Sequence, residues 1–260
     1  MNFLSLEKNI ATLIRMYKEE GHIGITIEWN NKKIEYNSQD MFPSASLIKL
    51  PIVVEVVEQA KTGQINMQQQ IKNAELKVAG GAGIVQSLSK HSSLTIKDLA
   101  TLMIIVSDNM AANFLMDVVG KENINDRCEK IGMPATKLKR KMMDAKAREN
   151  GIDNVTTPLD ILNCLKKINK DTLLLDILKQ QQFRDKIPGF LKNNLEIQVA
   201  NKTGELDLVE HDCAIITYKK ETIYVSVLTE QFPTNKKGKE FIQLIGRCIF
   251  DWCEEEGGTK

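Results

Sequence analysis

Three short groups of residues in this chain could together perform acyl transfer. Ser46-Leu47-Ile48-Lys49 sets a hydroxyl and an amine three residues apart, and on a helix such residues share a face. Ser107-Asp108-Asn109 occurs once, directly after the apolar run 102–106. Lys202-Thr203-Gly204 follows a strand-like run at 196–201. Acyl transfer by serine needs a nucleophile, a base for its proton, donors for the oxyanion and an acid for the leaving group. The chain has only three histidines, His22, His91 and His211, and no G-x-S-x-G elbow. A lysine held neutral, or relayed through another group, is therefore the base this sequence offers.

Each group taken alone is a cheap pattern. Ser5-Leu6-Glu7-Lys8 and Ser87-Leu88-Ser89-Lys90 repeat the first one. Lys61-Thr62-Gly63 repeats the third, but it ends a helical run with Gly63 in the usual capping place, and it precedes Ser107. Only Ser46, Ser107 and Lys202 come in the order SxxK, SDN, KTG, on a helix start, a loop of the helical region and a strand.

In that order the motifs resemble those of class A β-lactamases and penicillin-binding proteins. The resemblance covers nearly the whole chain, with support from the segments LTIKDLATLMIIVSDNMAAN (94–113), NVTTP (154–158) and VANKTG (199–204). It implies that Ser46 is acylated, that Lys49 is its base or relay, and that Ser107 passes the proton to the leaving nitrogen. It makes Asn109 a holder of the substrate amide and Lys202 and Thr203 the anchors of its carboxylate. Gly204 and Glu205 join the substrate-binding set, with the backbone N–H groups of Ser46 and Glu205 as the oxyanion hole. No metal or cofactor is implied.

Two parts of the family pattern are missing. The glutamate that activates the deacylating water belongs in an E-x-x-L-N stretch. Aligned on Leu138 and Arg140, that place falls on Met142, and the asparagine place on Lys146. Asp144 and Glu149 are the nearby carboxylates. The arginine expected on the strand after KTG is also absent, and His211-Asp212 stands there as a turn or, less expectedly, a catalytic pair. Acylation parts are complete and the usual deacylation part is not. The reading is a serine hydrolase acting on β-lactams or related cyclic amides, with slow deacylation, in which case antibiotic resistance is the implied role. The alternatives are a penicillin-binding peptidase or esterase with another natural substrate, and a β-lactam-binding protein that stays acylated.

The elements that must position these groups follow from periodicity. Residues 3–20 carry apolar positions at helical spacing, and 22–29 alternates with Ile23, Ile25, Ile27 and Trp29 on one face. Asn30-Asn31 turns the chain into 33–36, which makes a hairpin. From 46 to 185 the chain reads as helices. Thr95 to Asp98 is a capping box, and Thr157-Pro158 opens another helix. Strand-like runs at 196–201, 213–218 and 222–229 precede a closing helix at 236–252. The fold class is α/β of the α+β kind: one antiparallel sheet built from both chain ends with packed terminal helices, plus an inserted all-helical lobe. Residues 1–58 and 190–260 form the sheet lobe and 59–189 the helical lobe, with the site in the cleft between them.

Composition narrows the partners. The 260 residues are 42% hydrophobic, and 35 basic residues face 34 acidic ones for a net charge of +1. Neither nucleic acid nor an anionic membrane surface fits that balance, so the expected partner is a small molecule, a β-lactam or peptide-like amide. The basic run 137–148 reads as a solvated face. The five cysteines lack framework spacing and read as buried free thiols. Glu7, Glu19 and Glu20 interrupt the start, so a cytoplasmic chain is expected as written, and a secreted one if a leader has been removed.

Overall fold

The computed structural model describes residues 2–191 and 196–257. Its centre is a five-stranded antiparallel sheet. Strand β1 (His22–Trp29) pairs with β2 (Lys32–Tyr36) through the Asn30-Asn31 turn, where both residues take φ values of 47° and 62° that asparagine tolerates. Three longer strands, β3 (Ile197–Leu206), β4 (Val209–Tyr218) and β5 (Glu221–Glu230), return from the far end of the chain. The spatial order is β2-β1-β5-β4-β3, so both chain ends build one sheet and β3 is an edge.

One face of the sheet packs on α1 (Phe3–Tyr17) and the closing helix α9 (Asn235–Gly257). Ile23, Ile25, Ile27 and Trp29 all lie in that core, as the alternation required. The other face meets a second core made largely of helices. At its middle lies α2 (Lys49–Lys61), buried almost all round by Leu50, Ile52, Val53, Val54, Val56 and Val57. Around it stand α3 (Ile96–Ile105), α4 (Asn109–Val119), α5 (Lys121–Lys130), the short α6 (Ala145–Glu149), α7 (Pro158–Ile168) and α8 (Thr172–Lys179). The capping box at Thr95–Asp98 forms with both reciprocal bonds, and Thr157 caps α7 with Pro158 at its first turn. Two small strand pairs, 70–72 with 93–95 and 42–43 with 155–156, lie in and beside the helical region.

The strands run further than their alternation suggests. KTG lies inside β3, not after it, and β4 begins at Val209. Asn201, Lys202, His211 and Asp212 are buried polar residues there, and hydrogen bonding rather than an apolar pattern keeps them in the sheet. The basic run 137–148 is mostly loop, tied down by pairs such as Lys137–Glu129 and Lys141–Asp117. Cys128, Cys164, Cys213 and Cys253 are buried free thiols, while Cys248 is only half-buried. Among the described residues no helix is long and apolar enough to cross a membrane.

Candidate active site

The N-terminal end of α2, the turn between α3 and α4, and the edge strand β3 meet beside one cleft of about 810 Å³. Ser46 sits in a single 3-10 turn, Ala45–Ile48, rather than in the α-helix itself. With three residues per turn, Ser46 and Lys49 are stacked almost in line. Lys49 Nζ lies 3.1 Å from Ser46 Oγ. It also reaches the Ser107 carbonyl at 2.7 Å, Ser107 Oγ at 3.1 Å and Asn109 Oδ1 at 2.7 Å. Lys202 Nζ reaches the same Ser107 Oγ at 3.1 Å and donates to the Thr203 carbonyl at 2.7 Å. One hydroxyl therefore stands between two lysines, and both lysines are wholly buried.

Local strain and caps hold these groups. Ala45 (φ 46°) and Ser107 (φ 55°) both adopt the left-handed region, which costs an L-residue about 1–2 kcal/mol. The three-residue turn between α3 and α4 forces Ser107 there and aims its hydroxyl at Lys49. Asp108 caps α4 through Ala111 N at 2.9 Å, and its other oxygen takes Ile84 N and Val85 N at 2.7 and 2.8 Å. A Cβ on Gly83 would collide with that carboxylate at 2.3 Å. A Cβ on Gly204 would stand 3.2 Å from that of Ala45, so the glycine of KTG lets β3 pass close to the serine turn. Asn109 donates Nδ2 to the Gly80 carbonyl at 3.1 Å while its oxygen holds Lys49. An amide carries two N–H protons, and Gly80 takes one.

Electrostatics follow from burial. Loss of water, and then the nearby charge of Lys202, drives the Lys49 amine well below the ordinary lysine range, with Asp108 pulling the other way. Burial brings Lys202 down to about 7, and Lys186 adds to the effect. Two ammonium groups around one hydroxyl are costly at low dielectric, so one of them sheds its proton.

Thr203, Glu205, Ser46, Ser107 and Asn109 line the cleft, while Lys49 and Lys202 lie beneath its surface. The two-residue turn at Asp207-Leu208 fixes the parity of β3. Even-numbered residues there exchange hydrogen bonds with β4, and odd-numbered ones point N–H and C=O off the edge. The outward carbonyls of Val199, Asn201 and Thr203 take Arg184, Gln181 and Lys202, in agreement with that parity. The Glu205 N–H therefore points off the sheet edge, at the cleft. Lys61-Thr62-Gly63 ends α2 with Gly63 at φ 76°, and Lys61 is bound to Asp171 at 2.5 Å. His211-Asp212 is neither a turn nor a pair, because neighbours in a strand face opposite ways. The His211 ring bonds the Pro43 carbonyl at 2.7 Å and is pushed by burial to about 4. Asp212 turns to Asn201 and Ile187 N, and burial raises it to about 7.

Spacing alone gave no sign of three features. Asn113 clamps Met142 by both backbone groups, at 2.7 and 3.1 Å. Arg140 closes the segment 140–153 on Asp153 at 2.7 Å. Lys186 is buried beside β3. Asp108 had a visible signal, since aspartate opening a helix is a cap.

The chain matches the Beta-lactamase enzyme family over residues 5–253. It belongs to that family. Beta-lactamase PSE-1 of Pseudomonas aeruginosa is 28% identical over 245 residues, 88% of this chain and 84% of the relative. Beta-lactamase CARB-4 of the same organism is 25% identical over 66% of this chain, which spans 59% of that relative's length. Among solved structures, a β-lactamase from Sphaerobacter thermophilus superposes with a TM-score of 0.86 and 27% identity, covering 95% of this chain and 97% of the other. The antiparallel sheet with its inserted helices is thus the β-lactamase fold, and the chain is a serine hydrolase of this family.

Proposed function

We propose that this β-lactamase-family chain is acylated at Ser46 by β-lactams and clears the acyl group slowly. The observation that carries the reading is the convergence of Ser46 Oγ, Lys49 Nζ, Ser107 Oγ and Lys202 Nζ at 3.1 Å steps. A neutral Lys49 has two N–H protons for its two 2.7 Å acceptors, and its lone pair is left to take the Ser46 proton. Ser46 Oγ then bonds the lactam carbonyl carbon. The oxyanion faces the N–H groups of Ser46 and Glu205. The ring C–N bond breaks, and the leaving nitrogen takes a proton from Ser107 Oγ, which Lys49 resupplies. Lys202, with Thr203, holds the substrate carboxylate, and Asn109 and the β3 edge hold its amide.

Deacylation needs a base for water. Met142 stands at the cleft where the family pattern puts a carboxylate. Asp144 also borders the cleft, but it is exposed and one oxygen caps α6 through Ala147 N at 3.0 Å. Glu149 is exposed on the far turn of that helix. A penicillin followed by time-resolved mass spectrometry tests the reading. A Ser46 adduct that forms quickly and persists is the expected result, and Ser46→Ala abolishes it. Labelling that survives Ser46→Ala would sink the assignment.

A further inference from the structure

Lys186 has no part in the chemistry above, yet it is one of the largest fully buried side chains in the protein. It precedes the short turn Ile187–Phe190 and lies against β3 and β4. Its Nζ donates to the Gly204 carbonyl at 2.9 Å and to the His211 carbonyl at 3.3 Å. Its third partner is the Glu210 carboxylate, itself buried and held by Asn235 Nδ2 at 2.9 Å. Glu205 Oε2 also stands 4.0 Å away, so two carbonyls and two carboxylates already take up the ammonium. It does not replace the missing arginine.

What it touches is more telling. The carbonyl of Gly204 and the N–H of Glu205 belong to one peptide unit, and in a trans peptide they point opposite ways. The carbonyl points in toward β4 and Lys186, and the N–H points out at the cleft. A cation bonded to the carbonyl oxygen draws electron density from the nitrogen and makes the N–H a stronger donor.

We infer that Lys186 is a positioning residue that polarises the Gly204–Glu205 peptide, and so strengthens the oxyanion donor on β3. The inference rests on the acylation reading above, with Glu205 N–H as one of the two donors. The Glu210 carboxylate offsets part of the field of Lys186, so the polarisation acts through the direct 2.9 Å bond to the Gly204 oxygen. Gly204 lies against Ala45, so the same contact fixes the distance between the donor and the Ser46 turn.

Removing a whole oxyanion donor costs about 10²–10³ in rate, and one polarising bond changes a neighbour's strength by about 10–30%. Loss of the Lys186 charge should then slow acylation about two- to eightfold. Lys186→Met alone would strand Glu210, so the test pairs it with Glu210→Gln and compares the pair with Glu210→Gln alone. The readout is the infrared stretch of the ester carbonyl in the penicillin acyl-enzyme, which reports hydrogen bonding to the oxygen that becomes the oxyanion. The expected result is a shift to higher wavenumber together with slower acylation, at unchanged melting temperature. Lys186→Gln paired with the same Glu210→Gln, also uncharged, should give a shift in the same direction and serves if the methionine double variant does not fold. Lys186→Arg, which keeps the cation, should restore the wild-type position. An unchanged stretch in folded, acylated neutral variants overturns the role of Lys186. A wild-type protein that forms no Ser46 adduct overturns the acylation reading, and this inference falls with it.

Discussion

Replacing Met142 by glutamate should convert slow deacylation into turnover. The Met142 side chain is mostly buried yet borders the cleft, and glutamate is similar in length. Asn113 pins the backbone on both sides, so the new carboxylate inherits a fixed starting point. A general base for water contributes about 10²–10⁴-fold, or about 2.7–5.5 kcal/mol. Burial works against it by raising the new group's pKa, while Lys202, where it carries its proton, favours the ionised form. Arg140 is committed to Asp153, and Lys146 is exposed, so a competing surface pair would subtract only about 0.2–1 kcal/mol. The net expectation is at least about 10²-fold faster deacylation. Acylation should change by less than about threefold, since Lys49, Ser107 and Lys202 are held by one another and by Asn109. Rapid quench with mass spectrometry separates the two rates. A wild-type turnover on the order of 10³ s⁻¹ would refute the reasoning. So would a folded Met142→Glu protein whose adduct decays no faster.

Two further outcomes follow from titration. Lys202 is charged below about 7 and neutral above it, so affinity for a carboxylate-bearing β-lactam should fall as pH rises through 7, seen as a rising KM; Lys202→Arg, which stays charged, should flatten that profile even if it lowers the rate. His22 bridges Glu230 and Asp40, each at 2.9 Å. Burial lowers its pKa, but the two carboxylates outweigh that and raise it above 6.5. A raised folded-state pKa gives stability that is present in full below about 6.5 and is lost as pH rises through the folded value. The pair is partly exposed and worth about 1 kcal/mol at most, so the melting temperature should drop by about 2–4 °C across that window. His22→Gln should remove the drop, and an equal drop in the variant would exclude the clasp as its source.

The sequence was most legible where a residue's partners lie nearby in the chain. The Asn30-Asn31 turn, the Thr95–Asp98 box and the Gly63 cap are local devices, and they form where expected. Chain order preferred the KTG at 202 to the one at 61, and Thr203 of the former lines the cleft. The ends of β3 and β4 were harder. Their polar stretches satisfy themselves by contacts across the sheet, such as Asn201 Nδ2 with Asp212 Oδ1 at 3.1 Å, and such contacts leave no alternation. The left-handed φ of Ser107 and the placement of Lys186 depend on tertiary packing, for which spacing carries no signal.

The two halves of the expected reaction also rest on different supports. The proposed acylating groups form one hydrogen-bonded network at the junction of α2, the α3–α4 turn and β3, with Lys49, Ser107 and Lys202 buried in it. The residues facing them across the cleft hang on the segment 140–153, closed by the Arg140–Asp153 pair and clipped at Met142 by Asn113. Those clips use the backbone at 142, not its side chain. The backbone clip therefore places no demand on which side chain stands there, although Met142 is buried against the helical core and a glutamate would have to turn to the cleft. On the proposed mechanism, acylation is thereby tied to groups that hold one another, while the hydrogen bonds that hold position 142 are made by its backbone. If the proposed mechanism holds, that asymmetry gives a physical reason why the acylating groups and the deacylating carboxylate need not be kept together.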